Sequence, residues 1–470
     1  MIGCCAVIFH VAMAEGLNTD VFWHLAAGQW MLAHHSVIRH DYFSYTIRGR
    51  NWVADEWGFE VILAWTVAHV GPVAYWLLAA LPCCAAVLLS ALRWRRLGAQ
   101  QLWMGALAIG ASLALVLGVS TRPQVFSYAF VALELLILLA ARQKARWLAS
   151  LPVLMLLWAN IHGSFLAGIA ILALDLALSA VALRAPSILG PASRHRLHVS
   201  HPLPPRAAGF ALAGSVIAAC ANPRGPYLYA YALKVSTSNK LANYIVEWQS
   251  PNFHSPLIFV AIAVPTVVAI WILATVRRRV ELFDLILWIA FLVATLHAIR
   301  FVPYLGLVIG GLLAPFSPLR KETIRPTVLT PVLSICLCAA VLAGSHQPAG
   351  APNTKGSGAE PVAGAQWLSH QNGRVFSTYA WNDYLIHVGI PVFVDGRTDL
   401  YFGTHVLSDY IDVEQLTTPP DPVLARYHVR WVLWPKAQPL SIYLSKDRSW
   451  RLVRTFGSAQ VFEKVASAHQ

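Results

Sequence analysis

The chain has 470 residues, of which 57% are hydrophobic and only 12% charged, with seven cysteines and a formal net charge of +13. A soluble domain carries about 25% charged residues, and the deficit here is confined to Met1–Arg320, which reads as successive apolar runs. One aqueous core is therefore excluded, and so is a nucleic-acid-binding role for the positive charge. The basic residues stand at the ends of apolar runs (Arg93, Arg95, Arg96; Arg142, Lys144, Arg146; Arg277, Arg278, Arg279), where membrane proteins anchor their cytoplasmic ends.

In chain order, windows near 20 residues predict about eleven spans: 2–14, 72–92, 101–119, 124–141, 147–160, 164–183, 207–221, 255–276, 282–297, 301–316 and 326–343. The basic loops alternate with loops holding about half as many Lys and Arg, and the richer set is assigned to the cytoplasm. The loops 15–71 and 222–254 and the C-terminal part then face outward. Residues 57–70 are read as an interfacial helix, because Asp55, Glu56 and Glu60 crowd its start and Trp57 and Trp65 suit the headgroup zone.

The expected organisation is a transmembrane domain over 1–343, a linker over 344–364 and a soluble α/β domain over 365–470. The linker is rich in Gly, Pro, Ala and Ser. Beyond it, RVFSTY, PVFVD, VRWVLW and AQVFEK read as strands, with helices near 380–388, 404–416 and 438–446. The cysteines (Cys4, Cys5, Cys83, Cys84, Cys220, Cys336, Cys338) all lie in apolar runs. They imply neither a disulfide framework nor a zinc site.

The first outward loop is dense in polar and aromatic residues. Val21, Phe22, Leu25, Trp30 and Leu32 have helical spacing, which predicts an amphipathic helix over 21–33 lying on the bilayer. Asp20 stands at its start, where an Asp caps free backbone amides. Asp41, Asp55 and Glu56 also precede turns or helices and read equally well as caps. At the outward ends of the spans stand Arg122, Asn160, His162, Asn222, Arg224, Glu247, His297 and Arg300. Ionisable groups at membrane depth are costly and usually pair or serve function. Their shared side points to one outward-opening cavity, suited to an anionic lipid head: arginines grip phosphate bidentately, and a carboxylate activates a hydroxyl.

The stretch TDVFWHLAAGQWMLAHHSVIRHDYFSYTIRGRNWVADEW resembles the first outer loop of a group of bacterial membrane proteins in the GT-C superfamily, polytopic glycosyltransferases that use polyprenyl-phosphate sugars. TRPQVFSY, WANIHGSF, NPRG, VEWQSP, YAWNDYLI and FVDGRTDLY resemble further segments in the same order. The resemblance implies a mainly α, GT-C-like bundle in the bacterial plasma membrane. It implies a polyprenyl-phosphate sugar donor and a glycan, lipid or protein acceptor, with the C-terminal α/β domain on the non-cytoplasmic side. It places the catalytic base at Asp20, with Asp41 or Glu56 assisting. Arg122, His162 and Arg300 become candidates for holding phosphate, and His24, Arg224 and Glu247 further substrate-binding candidates. Asp395 and Arg397, directly after a strand, either face the acceptor or form a turn salt bridge. No cofactor is required by the sequence, although convergence of Asp20 and Asp41 would suit Mg or Mn, hard cations that prefer carboxylate oxygen. A lipid or solute transporter and a non-catalytic envelope-assembly protein are the alternatives. No Walker-type, GxSxG or HExxH motif is present.

Overall fold

The computed structural model describes residues 1–14, 18–237, 245–317 and 361–465. The expected span at 326–343 and most of the linker lie outside them. The chain divides into two compact units: Met1–Ala14 with Val73–Pro348, and Glu15–Pro72 with Ala349–Gln470. By contacts, the first outer loop thus belongs with the C-terminal part.

The helices run α1 (Ile2–Ala14), α2 (Asp20–His34), α3 (Trp57–Val70), α4 (Val73–Arg96), α5 (Gln101–Val116), α6 (Gln124–Ala141), α7 (Leu151–Ile161), α8 (Phe165–Arg184), α9 (Pro205–Ala219), α10 (Tyr227–Ser236), α11 (Pro256–Thr275), α12 (Leu282–His297) and α13 (Val302–Leu313). All except α2 and α3 lie in the first unit. Among the described residues, five helical segments are long and apolar enough to cross a membrane: α4, α6, α8, α11 and the stretch Ile299–Phe316 that contains α13. Five more expected spans are shorter apolar helices, in α1, α5, Ala145–Ile161, α9 and α12. The chain is a multi-pass membrane protein. α3, at 14 residues, is likewise a shorter apolar helix.

Composition decides which helices meet lipid. α11 leaves Phe259, Val264, Val267, Ile270 and Trp271 exposed, whereas every residue of α13 is buried. Two ion pairs tie helices together inside this unit. Arg93 donates to Asp284 at 2.5 Å, and Arg142 donates to both oxygens of Asp175 at 3.0 Å. Of the basic residues read as end anchors, Arg95 and Arg96 are exposed, but Arg93 is only 4% exposed. A charge that deep in an apolar bundle persists only when paired.

In the second unit the C-terminal part runs α14 (Val362–Leu368), β1 (Arg374–Ser377), α15 (Tyr379–His387), α16 (Val406–Gln415), α17 (Pro420–Arg426), β2 (Val429–Pro435), α18 (Pro439–Lys446), β3 (Trp450–Phe456) and β4 (Ala459–Lys464). The sheet order is β1-β2-β4-β3, with β1 and β2 parallel and the other pairs antiparallel. A parallel pair needs a crossover, which α15, α16 and α17 provide. β2 is central and buries Val429, Trp431, Val432, Leu433 and Trp434.

Two expectations for the tail are corrected. The apolar stretch at 391–395 is not a strand of this sheet; Val392 instead exchanges backbone bonds with the first loop, to Phe43 O and from Tyr45 N, both at 3.0 Å. β3 was not anticipated, because an edge strand that exposes Arg451, Leu452 and Arg454 carries no strong alternation. α2 adds Trp23, Ala27 and Met31 to the core of the second unit, and Phe22 meets Tyr384 edge-on at 5.1 Å.

Candidate active site

Asp20 is the first residue of α2 and does not act as its cap. The side chain of Asn18 does that work locally, accepting from the Asp20 backbone N–H at 3.0 Å. The setting of the Asp20 carboxylate is defined by Gly396: a Cβ placed there would lie 2.6 Å from Asp20 Oδ1, 2.9 Å from Trp23 Nε1 and 3.1 Å from Asp383 Oδ2. Three polar atoms from α2 and α15 thus converge on one glycine.

Asp383 reaches this point for legible local reasons. β1 ends at Ser377, and Thr378 caps α15 by accepting from the Trp381 N–H at 3.2 Å. Trp381, Leu385 and Ile386 then bury one side of the helix, and Asp383 is buried with them. Its Oδ1 accepts from the Gly396 N–H at 2.9 Å, while Oδ2 has no hydrogen-bond partner. Burial pushes its carboxyl well above the usual range, with Asp20 and Asp395 adding to the rise; the Gly396 N–H and Arg397 oppose it without prevailing. Burial and the neighbouring carboxylates thus favour the protonated form of Asp383.

Asp41 does not join Asp20. Its Oδ2 accepts from the Ser44 hydroxyl at 2.6 Å and the Ser44 N–H at 3.2 Å, and its Oδ1 from the Phe43 N–H at 3.2 Å and Arg397 at 2.7 Å. Arg397 also donates to both oxygens of Asp395, at 2.9 and 2.6 Å, and lies 4.3 Å from the Trp52 ring. Tyr401 completes the group by donating to Asp395 at 2.8 Å. Arg397 and Asp395, expected either to face an acceptor or to form a turn salt bridge, are buried and form the salt bridge. This network joins the first loop to the tail.

Glu56 stands at the head of α3 without making a capping bond from its side chain. His24, a substrate-binding candidate, is buried, stacks on Trp23 at 3.6 Å and meets Glu60 at 3.3 Å. Burial raises the Glu60 carboxyl well above its ordinary value, with Glu56 and Asp55 adding to the rise. Asp41 is held by Arg397 and Ser44. Among the described residues no group of three or more His, Cys, Asp or Glu side chains is placed to hold a metal.

The first unit carries a second constellation at four of the expected positions. Arg122, in the turn before α6, donates to both oxygens of Glu247 at 3.0 Å. Arg300 lies 4.3 Å from the Trp248 ring, and the Ile299 N–H donates to Gln249 O at 2.9 Å, so 246–249 is docked on the turn after α12. Burial works to raise the Glu247 carboxyl, but Arg122 and Arg300 outweigh it and hold it below the ordinary range. His162, in the turn between α7 and α8, meets Ser127 at 3.0 Å and Ser164 at 2.7 Å. Burial, then Arg300 and Arg122, lower its imidazole to about 3, so it is neutral. Two guanidinium charges against one carboxylate leave the group net positive, which suits a phosphate. Arg224 is held otherwise, 3.7 Å from the Tyr231 ring.

Asp383 and Glu60 were missed as site candidates. The available signal was an Asp on the apolar face of a helix in YAWNDYLI, a position where an unpaired carboxyl is costly.

No family model matches the chain, and no curated protein matches it. Solved structures do. The archaeal oligosaccharyltransferase AglB from Archaeoglobus fulgidus, in complex with an inhibitory peptide and a dolichol-phosphate, aligns with a TM-score of 0.57 at 10% identity, covering 99% of this chain and 74% of that one. The Archaeoglobus fulgidus oligosaccharyltransferase in complex with Zn and sulfate aligns at 0.54 and 12% identity, covering 92% and 68%. ArnT from Cupriavidus metallidurans, bound to undecaprenyl phosphate, aligns at 0.53 and 14% identity, covering 99% and 97%. The chain has the fold of these proteins. That likeness extends over nearly its whole length, as the sequence segments led one to expect.

Proposed function

We propose that the protein is an integral membrane glycosyltransferase that moves a sugar from a polyprenyl-phosphate donor to an envelope acceptor on the non-cytoplasmic side of a bacterial plasma membrane. The observation that carries this is the whole-length likeness to two proteins solved with a dolichol-phosphate and with undecaprenyl phosphate. A transporter would share the charged residues but would not need a base.

Asp20 takes the proton of the acceptor hydroxyl, whose oxygen forms the new bond to the anomeric carbon. The bond from that carbon to the phosphate oxygen breaks, and the lipid phosphate leaves with the electron pair. Charge at the carbon is oxocarbenium-like as this happens. Arg122 and Arg300 neutralise the phosphate, a role that fixed cations fill better than water because they need no reorganisation. The packing of the first loop with the tail in one unit supports placing both on the same side of the membrane, and the arginine distribution supports the outer side. No step is routed through a metal.

The test is transfer of radiolabelled sugar from polyprenyl-phosphate monosaccharides in membranes holding wild type or Asp20→Asn. Transfer by wild type and its loss in the variant is the expected result. No release of sugar from any donor by folded wild type would overturn the enzyme reading in favour of transport or scaffolding.

A further inference from the structure

We propose that Asp383 is a positioning residue that forms with Asp20 a carboxyl pair holding one proton, and so sets the place and state in which Asp20 meets the acceptor. This deepens the proposed function and rests on it.

The geometry begins with Gly396, whose missing side chain leaves Asp20 Oδ1 and Asp383 Oδ2 each about 3 Å from one point. Two carboxylates that face one buried point repel, and one of them is expected to keep a proton. Asp383 is the better keeper. It is fully buried, and only one of its oxygens is satisfied, by the Gly396 N–H. The charged and titratable groups around it are Asp20 from α2, Asp395 and Arg397 from the segment after Val394, and Tyr379 from its own helix. Arg397 is the one cation among them, and it is engaged by Asp395 and Asp41.

The proton balance follows. In the resting pair Asp20 is the carboxylate and Asp383 the acid. Asp20 accepts the acceptor's proton as the new glycosidic bond forms, the pair then holds two protons, and one returns to water when product leaves. Above the pH at which Asp383 ionises, two adjacent anions repel and Asp20 is displaced. Activity should therefore fall on the alkaline side for a reason that lies in Asp383.

The experiment compares wild type, Asp383→Asn and Gly396→Ala, each as the purified full chain. Asn cannot ionise, so kcat/KM in Asp383→Asn should lose or shift its alkaline limb while keeping the acid limb. Gly396→Ala puts a methyl between the two carboxyl ends, which as side-chain termini can move without unfolding the loop. Its kcat should fall about 10- to 100-fold with donor KM unchanged, the scale expected when a catalytic group is misplaced by about 1 Å. Infrared titration should show a protonated-carboxyl band in wild type that Asp383→Asn removes, a readout independent of turnover. An unchanged pH profile in Asp383→Asn, or wild-type kcat in Gly396→Ala, overturns the pair while leaving the transferase reading standing. If wild type moves no sugar, that reading fails separately, and absence of the infrared band then overturns the pair as well.

Discussion

Arg397 of the tail donates to Asp41 of the first loop at 2.7 Å, across 356 residues of sequence and with both side chains buried. Its two bonds to Asp395 and its approach to the Trp52 ring make it the common partner of two carboxylates and an aromatic face. A guanidinium suits this place because its planar fork serves several acceptors at once.

Replacing Arg397 with Ala would leave Asp41 and Asp395 buried without their cation. Removing one partner of a buried ion pair costs about 3–5 kcal/mol, and the thermal unfolding midpoint of the purified chain should drop accordingly. Arg451→Ala is the control, since that side chain is 70% exposed in its pair with Glu463, and exposed pairs contribute about 0–1 kcal/mol. Equal midpoints for the two variants would contradict the assignment.

On the proposed mechanism, Arg122→Ala and Arg300→Ala should weaken donor use before they affect proton transfer from the acceptor. Loss of a charge-assisted hydrogen bond costs about 1.5–3 kcal/mol, so KM for the lipid-phosphate donor should rise roughly 10- to 150-fold. Steady-state kinetics with varied donor will show this. A fall in kcat with KM unchanged would place these arginines elsewhere in the mechanism.

Glu247 carries a pH dependence of defined sign. Its carboxyl sits below the ordinary range because Arg122 and Arg300 outweigh the effect of burial. The stabilisation is complete above the unfolded carboxyl's range and is lost as pH falls through the depressed folded value. Melting curves of wild type should therefore decline with acidification more steeply than those of Glu247→Gln. Parallel curves would show that the pair contributes nothing.

Gly28→Ala tests the contact between α2 and α3. A Cβ there would lie 2.0 Å from the Glu60 backbone oxygen, which cannot swing aside as a side chain can. Overpacking of this kind costs about 1–3 kcal/mol or more. Gly209→Ala, where a Cβ meets nothing within 4 Å, should leave the melting midpoint unchanged or slightly raised. The prediction fails if both variants melt alike.

Apolar run length and the absence of charge were sufficient to place the membrane helices, because lipid demands that each spanning segment satisfy its own backbone. Ten of the eleven expected spans are helices among the described residues, and Arg122, His162, Glu247 and Arg300 were legible from their position at span ends. Those features are local in sequence. The partners of Asp20 were not. Asp41 is close to it in the chain and suited the same chemistry, yet a Ser44 hydroxyl and a distant guanidinium claim its oxygens. Asp383, more than 360 residues away, stands across Gly396 from it. The sequence by itself determined a multi-pass protein with polar span ends and a mixed α/β tail, since hydropathy and periodicity act within one element. Only the tertiary structure decided which carboxylates meet, because a carboxyl's partner and protonation depend on burial and on groups that the fold brings from remote segments.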